Sequence, residues 1–114
     1  MHLCGDVSSI LGDLIDIGLN VLTPVQPRAM DCPALARHYG GKVCFNGGID
    51  VQRTLIFGTP EDVRREVHEL VGMFGGRGGG YIAGTSHIVM PETPLDNVVA
   101  MYEALTEYQP REVP

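Results

Sequence analysis

Short apolar runs alternate with helix-period segments four times along these 114 residues. That order constrains the fold more than any other feature, because consecutive strands joined through a helix can pair only in parallel, by right-handed crossovers. Met1 to Cys4 is read as a strand stub. Val7, Ile10, Leu11, Leu14, Ile15 and Ile17 then recur at helical spacing, with Gly18 as a stop. Asn20 to Val25, closed by Pro24 and Pro27, reads as a buried strand. Asp31 can cap a second helix, with Pro33 in its first turn and Gly40-Gly41 at its end. Lys42 to Asn46 is the third strand.

Thr59-Pro60-Glu61-Asp62 is a strong helix start, combining a cap, a proline and first-turn acids. Val63, Val67, Leu70, Val71 and Phe74 line the face that follows, until Gly75 to Gly80 breaks the helix. Tyr81 to Ile88 holds the fourth strand. Thr93-Pro94-Leu95-Asp96 repeats the start signal, and Val98, Val99, Tyr102 and Leu105 make the face of a last helix. The tail from Pro110 to Pro114 is expected to fray. The fold class is therefore α/β: four βα units with parallel strands, half of a (β/α)8 TIM barrel, in one domain over residues 1–114.

Composition narrows the function classes. With 44% hydrophobic and 19% charged residues the chain reads as soluble and globular. A net charge of -6 without a basic patch argues against nucleic acid and anionic membranes. No apolar run approaches a membrane span, and no secretory signal is expected at the N-terminus. Three cysteines at irregular spacing fit a reducing, cytoplasmic setting.

In such barrels chemistry sits at the C-terminal ends of strands. His2 and Cys4, Gln26, Asn46, Asp50 and His87 all fall there. Residues two apart on a strand share a face, so His2 and Cys4 would aim an imidazole and a thiolate at one point, which suits zinc. A third ligand from the end of a later strand would leave a position open for substrate. Gln26, Asn46 and Asp50 are candidates for substrate binding, or residues that merely shape turns. Cys44 reads as a small core residue and Cys32 as a turn residue at a helix start. His38 and His68 fall on polar helix positions. Gly75 to Gly80 lacks the Lys-Ser/Thr of a phosphate loop and precedes a strand, so it reads as a connection.

Taken in order, His2-Leu3-Cys4-Gly5-Asp6-Val7, Val25-Gln26-Pro27, Asn46-Gly47-Gly48-Ile49-Asp50 and Tyr81 through Ser86-His87-Ile88-Val89-Met90-Pro91-Glu92-Thr93-Pro94 resemble the uroporphyrinogen decarboxylase superfamily. The branch of cobalamin-dependent methyltransferases, which includes methylcobalamin:coenzyme M methyltransferase, matches best. The resemblance covers essentially the whole chain and implies the C-terminal half of an eight-stranded barrel. It implies zinc held by His2 and Cys4, with His87 at the third position, where those enzymes carry Cys. That departure suggests a different substrate.

The resemblance further implies a thiol bound to zinc as thiolate, which attacks a methyl group on a corrinoid such as methylcobalamin, with Asp50 and Gln26 orienting ligands or substrate. Two rival readings are a decarboxylase-type lyase of porphyrin biosynthesis and a metal-binding fragment without turnover. Half a barrel exposes one sheet face and two edges, so a homodimer or a complementary half-barrel is the expected partner, alongside a corrinoid protein.

Overall fold

The computed structural model describes residues 5–75 and 80–107. The elements in chain order are α1 (Ser8–Asp16), β1 (Val21–Val25), α2 (Cys32–Tyr39), β2 (Cys44–Ile49), α3 (Thr54–Phe57), α4 (Pro60–Phe74), β3 (Tyr81–Thr85) and α5 (Leu95–Glu107). The three strands form one parallel sheet in the order β1-β2-β3. The strand expected at Met1 to Cys4 and the tail from Pro110 lie outside the described residues.

The helix starts follow the local chemistry. The Asp31 carboxylate accepts from the Ala34 amide at 3.1 Å at the start of α2. At α4 the cap is reciprocal: Thr59 Oγ1 accepts from Asp62 N, and Asp62 accepts from Thr59 N at 2.9 Å. α1 ends in a Schellman motif, with Gly18 at φ +112, Leu19 N donating to Leu14 O at 2.9 Å and Gly18 N to Ile15 O at 3.0 Å.

The core lies between the sheet and α4. Leu22, Phe45 and Tyr81 are register partners and share one sheet face. Phe45 packs on Phe74 of α4 with ring centroids 4.6 Å apart, and Phe74 on Tyr81 at 5.4 Å. Val63, Val67, Leu70 and Val71 complete the buried face of α4, as the spacing predicts. The neighbouring positions along each strand point the other way. There Cys44 and Asn46 are half-buried and Ile82 is 51% exposed.

Several expectations need correction. β2 starts two residues later than Lys42 and runs three past Asn46. Gly47 and Gly48, a glycine pair at which the strand was expected to end, pair with Ala83 and Gly84 of β3 at φ +106 and +99. A Cβ on Gly47 would meet the Thr85 carbonyl at 3.2 Å and the Val25 amide nitrogen at 3.3 Å, so the strands close only around a bare backbone. β3 stops at Thr85 and leaves Ile88 exposed in a loop. Cys32 is buried in the core rather than in a turn. In α1, Val7 and Leu11 are buried, but Ile10 and Ile17 face solvent.

The face of α5 is rotated from the one expected. Asn97, Ala100, Met101 and Ala104 are buried, whereas Val99 and Tyr102 are exposed. Asn97 sets this rotation: its Nδ2 donates to Leu55 O at 2.9 Å and Gly58 O at 2.8 Å, satisfying carbonyls at the end of α3. Alanines at 100 and 104 let the helix come close. Thr93 does not cap this helix in the manner of Thr59, and its buried hydroxyl has no hydrogen-bond partner among the described residues. Replacing Asn97 by Ala strands two carbonyls and is expected to cost about 2 kcal/mol of stability in urea unfolding. A loss within a few tenths would show that water replaces the amide without cost.

Candidate functional site

The C-terminal ends of all three strands meet at one cleft of about 280 Å³. β1 delivers Gln26, Pro27 and Arg28, β2 delivers Asp50 and Gln52, and β3 delivers Ser86 and His87. Gln26, Asp50 and His87, three of the residues singled out by sequence, thus come together. Asn46 does not line the cleft: it lies within β2 opposite Ile82, and its Oδ1 sits beside Gly84. His2 and Cys4 lie outside the described residues.

Asp50 organises the cleft. Its carboxylate is only 6% exposed. Oδ2 accepts from Arg28 Nε at 2.7 Å and Oδ1 from the Gln52 amide at 2.9 Å. Its backbone carbonyl accepts from Leu55 N at 3.0 Å, and its own amide donates to Glu66 Oε2 at 3.1 Å. Turn formation and side-chain placement are therefore one function at this residue: the Asx turn onto Gln52 leaves the second oxygen aimed at Arg28. Ser86, 5% exposed, closes the third side. Its amide donates to Ile49 O at 2.7 Å, and its Oγ accepts from Val51 N at 3.4 Å. Gln26 Oε1 accepts from the Gly5 amide at 2.7 Å, holding the first described residue against the end of β1.

Glu66 of α4 supports Asp50 from below, accepting also from Thr54 Oγ1 at 3.2 Å. Burial raises its pKa above the ordinary carboxylate value, against the hydrogen bonds from Asp50 and Thr54 that lower it. The Cys32 thiol is pushed up to about 11, first by burial and then by Asp31 and Glu66, so it is protonated at neutral pH and no nucleophile. His38 and His68 are exposed, as their positions predict, and Cys44 is half-buried.

Arg28 and Glu66 are the site residues that sequence reasoning missed. Arg28 follows Gln26-Pro27 directly, and an Arg at one strand end with an Asp at the next is the available signal. It becomes meaningful only once β1 and β2 are neighbours, because the pair is 22 residues apart. Glu66 sits on a polar helix turn and carries no local mark.

The model of the uroporphyrinogen decarboxylase (URO-D) family matches residues 1–108. The chain belongs to this family. It is 32% identical over 81 residues to a uroporphyrinogen decarboxylase of Legionella pneumophila (strain Corby), covering 71% of this chain and 22% of that protein. It is 28% identical over 108 residues to a methylcobamide:CoM methyltransferase of Methanosarcina barkeri, covering 95% of this chain and 30% of that one. A solved methyltransferase from Methanosarcina mazei superposes with a TM-score of 0.72 at 28% identity, over 93% of this chain and 30% of its own. The chain thus spans less than a third of these relatives' length, and its parallel sheet is a partial barrel of this URO-D type. No helix among the described residues is long and apolar enough to cross a membrane.

Among the described residues no three His, Cys, Asp or Glu side chains gather as a metal requires. His87, exposed at the cleft, is the one expected zinc ligand that they include, and an imidazole there fits the donor set of a His-Cys-His site.

The raised carboxyl of Glu66 has a sign that can be measured. Its folded state holds the proton more tightly than the unfolded state, so its contribution is complete below the ordinary value of 4.5 and is lost as pH rises through the raised value. Glu66→Gln is neutral at every pH. The stability of E66Q relative to wild type, from urea titrations, is therefore expected to increase as pH rises above the ordinary value of 4.5. A flat difference would place Glu66 in a solvated environment.

Proposed function

We propose that this chain is the C-terminal part of a zinc-dependent methyltransferase-like barrel, cytoplasmic, that moves a methyl group between a corrinoid and a thiol or similar acceptor. The observation that carries the reading is the position of His87 in a cleft at the ends of three parallel strands. His-x-Cys at residues 2 and 4 leads directly into Gly5, whose amide Gln26 holds at the same end of the sheet. Likeness to the methyltransferases of both Methanosarcina species over 93% or more of the chain adds to it.

His2, Cys4 and His87 would hold the metal. Zinc so bound supplies a positive charge that keeps a thiol ionised at neutral pH. The chain's own residues orient: Gln26 fixes the approach of the N-terminal segment, and Asp50 fixes the turn that carries Gln52 and faces Arg28. Displacement at a methyl carbon needs alignment more than acid or base, which suits a cleft built of fixed turns. The corrinoid is substrate or comes on a partner protein. The remainder of the barrel comes from a second copy or a complementary segment, a reading supported by Ile82, half exposed on the sheet face that points away from α4.

A second reading, a decarboxylase of porphyrin biosynthesis, draws on the 32% identity to the Legionella enzyme. Metal content separates the two. Equilibrium dialysis is expected to find about one zinc per chain, with ligand atoms about 2.0–2.3 Å from the metal. Cys4→Ala and His87→Ala should weaken binding by more than the tenfold or so that loss of an outer-shell partner costs, and Cys44→Ala should leave it unchanged. Equal loss in Cys4→Ala, Cys32→Ala and Cys44→Ala would overturn the site. Retained zinc without methyl transfer in the assembled protein would leave a metal-binding fragment. In sedimentation at micromolar concentration a dimer is expected; one cooperatively unfolding species near 12.3 kDa argues that the chain covers its own core.

A further inference from the structure

We propose that Glu66 is a positioning residue for the cleft: from α4 it grips the turn that carries Asp50 and Gln52, and the strength of that grip depends on its charge. Glu66 does not line the cleft itself. It spans the loop after β2 at two points, with Oε2 accepting from Asp50 N at 3.1 Å and Oε1 from Thr54 Oγ1 at 3.2 Å. Between these points lie Val51 and Gln52, which line the cleft. The Gln52 amide and Arg28 Nε are the two donors on the Asp50 carboxylate, so what moves Asp50 moves both. Among the described residues, both hydrogen bonds from this loop to α4 end on Glu66. Val63, Val67 and Leu70, around it on α4, are buried in the core. The grip therefore refers the turn to a fixed helix, whereas Ser86 Oγ meets the same loop only at 3.4 Å.

An ionised carboxylate only accepts, and here a donor meets each oxygen. A proton on Oε2 would face the Asp50 N–H, so it takes Oε1. Thr54 Oγ1 can accept as well as donate, and that contact survives reversed. The Asp50 amide is left with a neutral carbonyl, roughly half as strong an acceptor as a carboxylate. Solvent reaches Glu66 from the other side, through an outer groove of about 420 Å³ edged by Arg53 of α3 and by Asp62, Arg65 and Glu69 of α4. Burial and the Asp50 charge favour its proton, and Arg28 opposes it. Asp62 is held by Thr59 and Arg65. Cys32 of α2 and Tyr81 of β3 are raised by burial first and in part by Glu66, so both stay protonated at neutral pH. On α5, Glu103 and Glu107 turn to Arg64. The charged form of Glu66 thus costs stability through burial and grips Asp50 harder, so stability and positioning pull in opposite directions.

What the cleft does with a substrate rests on the methyl-transfer reading. The grip is measured without metal, corrinoid or thiol, so the two fail separately. NMR of the whole chain follows the Glu66 carboxyl, the Asp50 amide and the Arg28 Nε–H from about pH 4 to about pH 8. Glu66 is expected to titrate above 4.5, and the other two signals to shift with the same midpoint. Arg28 lies beyond Asp50 from Glu66, so a purely stabilising Glu66 would leave its signal still. Glu66→Gln offers Asp50 a neutral carbonyl and Thr54 an NH2 group, imitating the protonated state. It is expected to abolish the shared transition, to fix both signals at their low-pH positions, and to speed Asp50 amide exchange at neutral pH several-fold over wild type. Thr54→Val removes a hydrogen bond that favours the charged form, and is expected to raise the midpoint while keeping the transition. If Glu66→Gln perturbs the fold, Thr54→Val and the wild-type titration carry the test. The proposal is overturned by signals without a common midpoint, by a transition above pH 4.5 that survives in a folded Glu66→Gln, or by a midpoint unmoved in Thr54→Val. An Arg28 shift with unchanged Asp50 exchange in Glu66→Gln would reduce the link to a through-space field and overturn it too.

Discussion

The cleft depends on the four hydrogen-bonded positions of Asp50. A buried carboxylate is tolerable only when its charge and lone pairs are met, and here Arg28 and the Gln52 amide meet them. The backbone of the same residue is tied to Leu55 and Glu66. One residue thereby joins the end of β1, the end of β2, the start of α3 and the middle of α4. Removing the carboxylate would free Arg28 and unfasten the turn together.

Two glycines let this end of the sheet form. Gly47 and Gly48 carry positive φ within a paired strand, and a side chain on Gly47 would strike the backbone of both neighbours. β1 makes its own accommodation. Leu22 and Val25 pair with Phe45 and Gly47, three steps against two, around Pro24, which has no amide to offer the ladder. The strand ends are thus brought close where polar side chains must converge. Below them, the apolar stack of Phe45, Phe74 and Tyr81 fixes α4 and with it Glu66.

The family places a long barrel around this piece, and the exposed groups agree with a structure that expects cover. Ile82 on the open sheet face is half exposed, and Leu95, Val99 and Tyr102 form an outward stripe on α5. Spaced at four and then three residues, they share one side of that helix. Isolated exposed apolar residues are ordinary; Leu95, Val99 and Tyr102 differ in sharing one side of one helix.

By itself the sequence determined the alternation of strands and helices, the starts of α2 and α4, the end of α1 and the core face of α4. Each follows from contacts within a few residues: caps, prolines, a glycine stop, a 3.6-residue period. It also placed Gln26, Asp50 and His87 at strand ends, because in a parallel sheet chain order fixes which end a residue occupies. Only the tertiary structure decided that Gly47-Gly48 continues the strand rather than ending it, since the Thr85 and Val25 backbones that crowd a side chain there are distant in sequence. It alone turned α5, where Asn97 reaches carbonyls about forty residues away and outweighs the apolar period. It alone joined Arg28 to Asp50 and Asp50 to Glu66, because a polar side chain acquires its role from the partner that the sheet sets beside it, and that partner leaves no local trace in the chain.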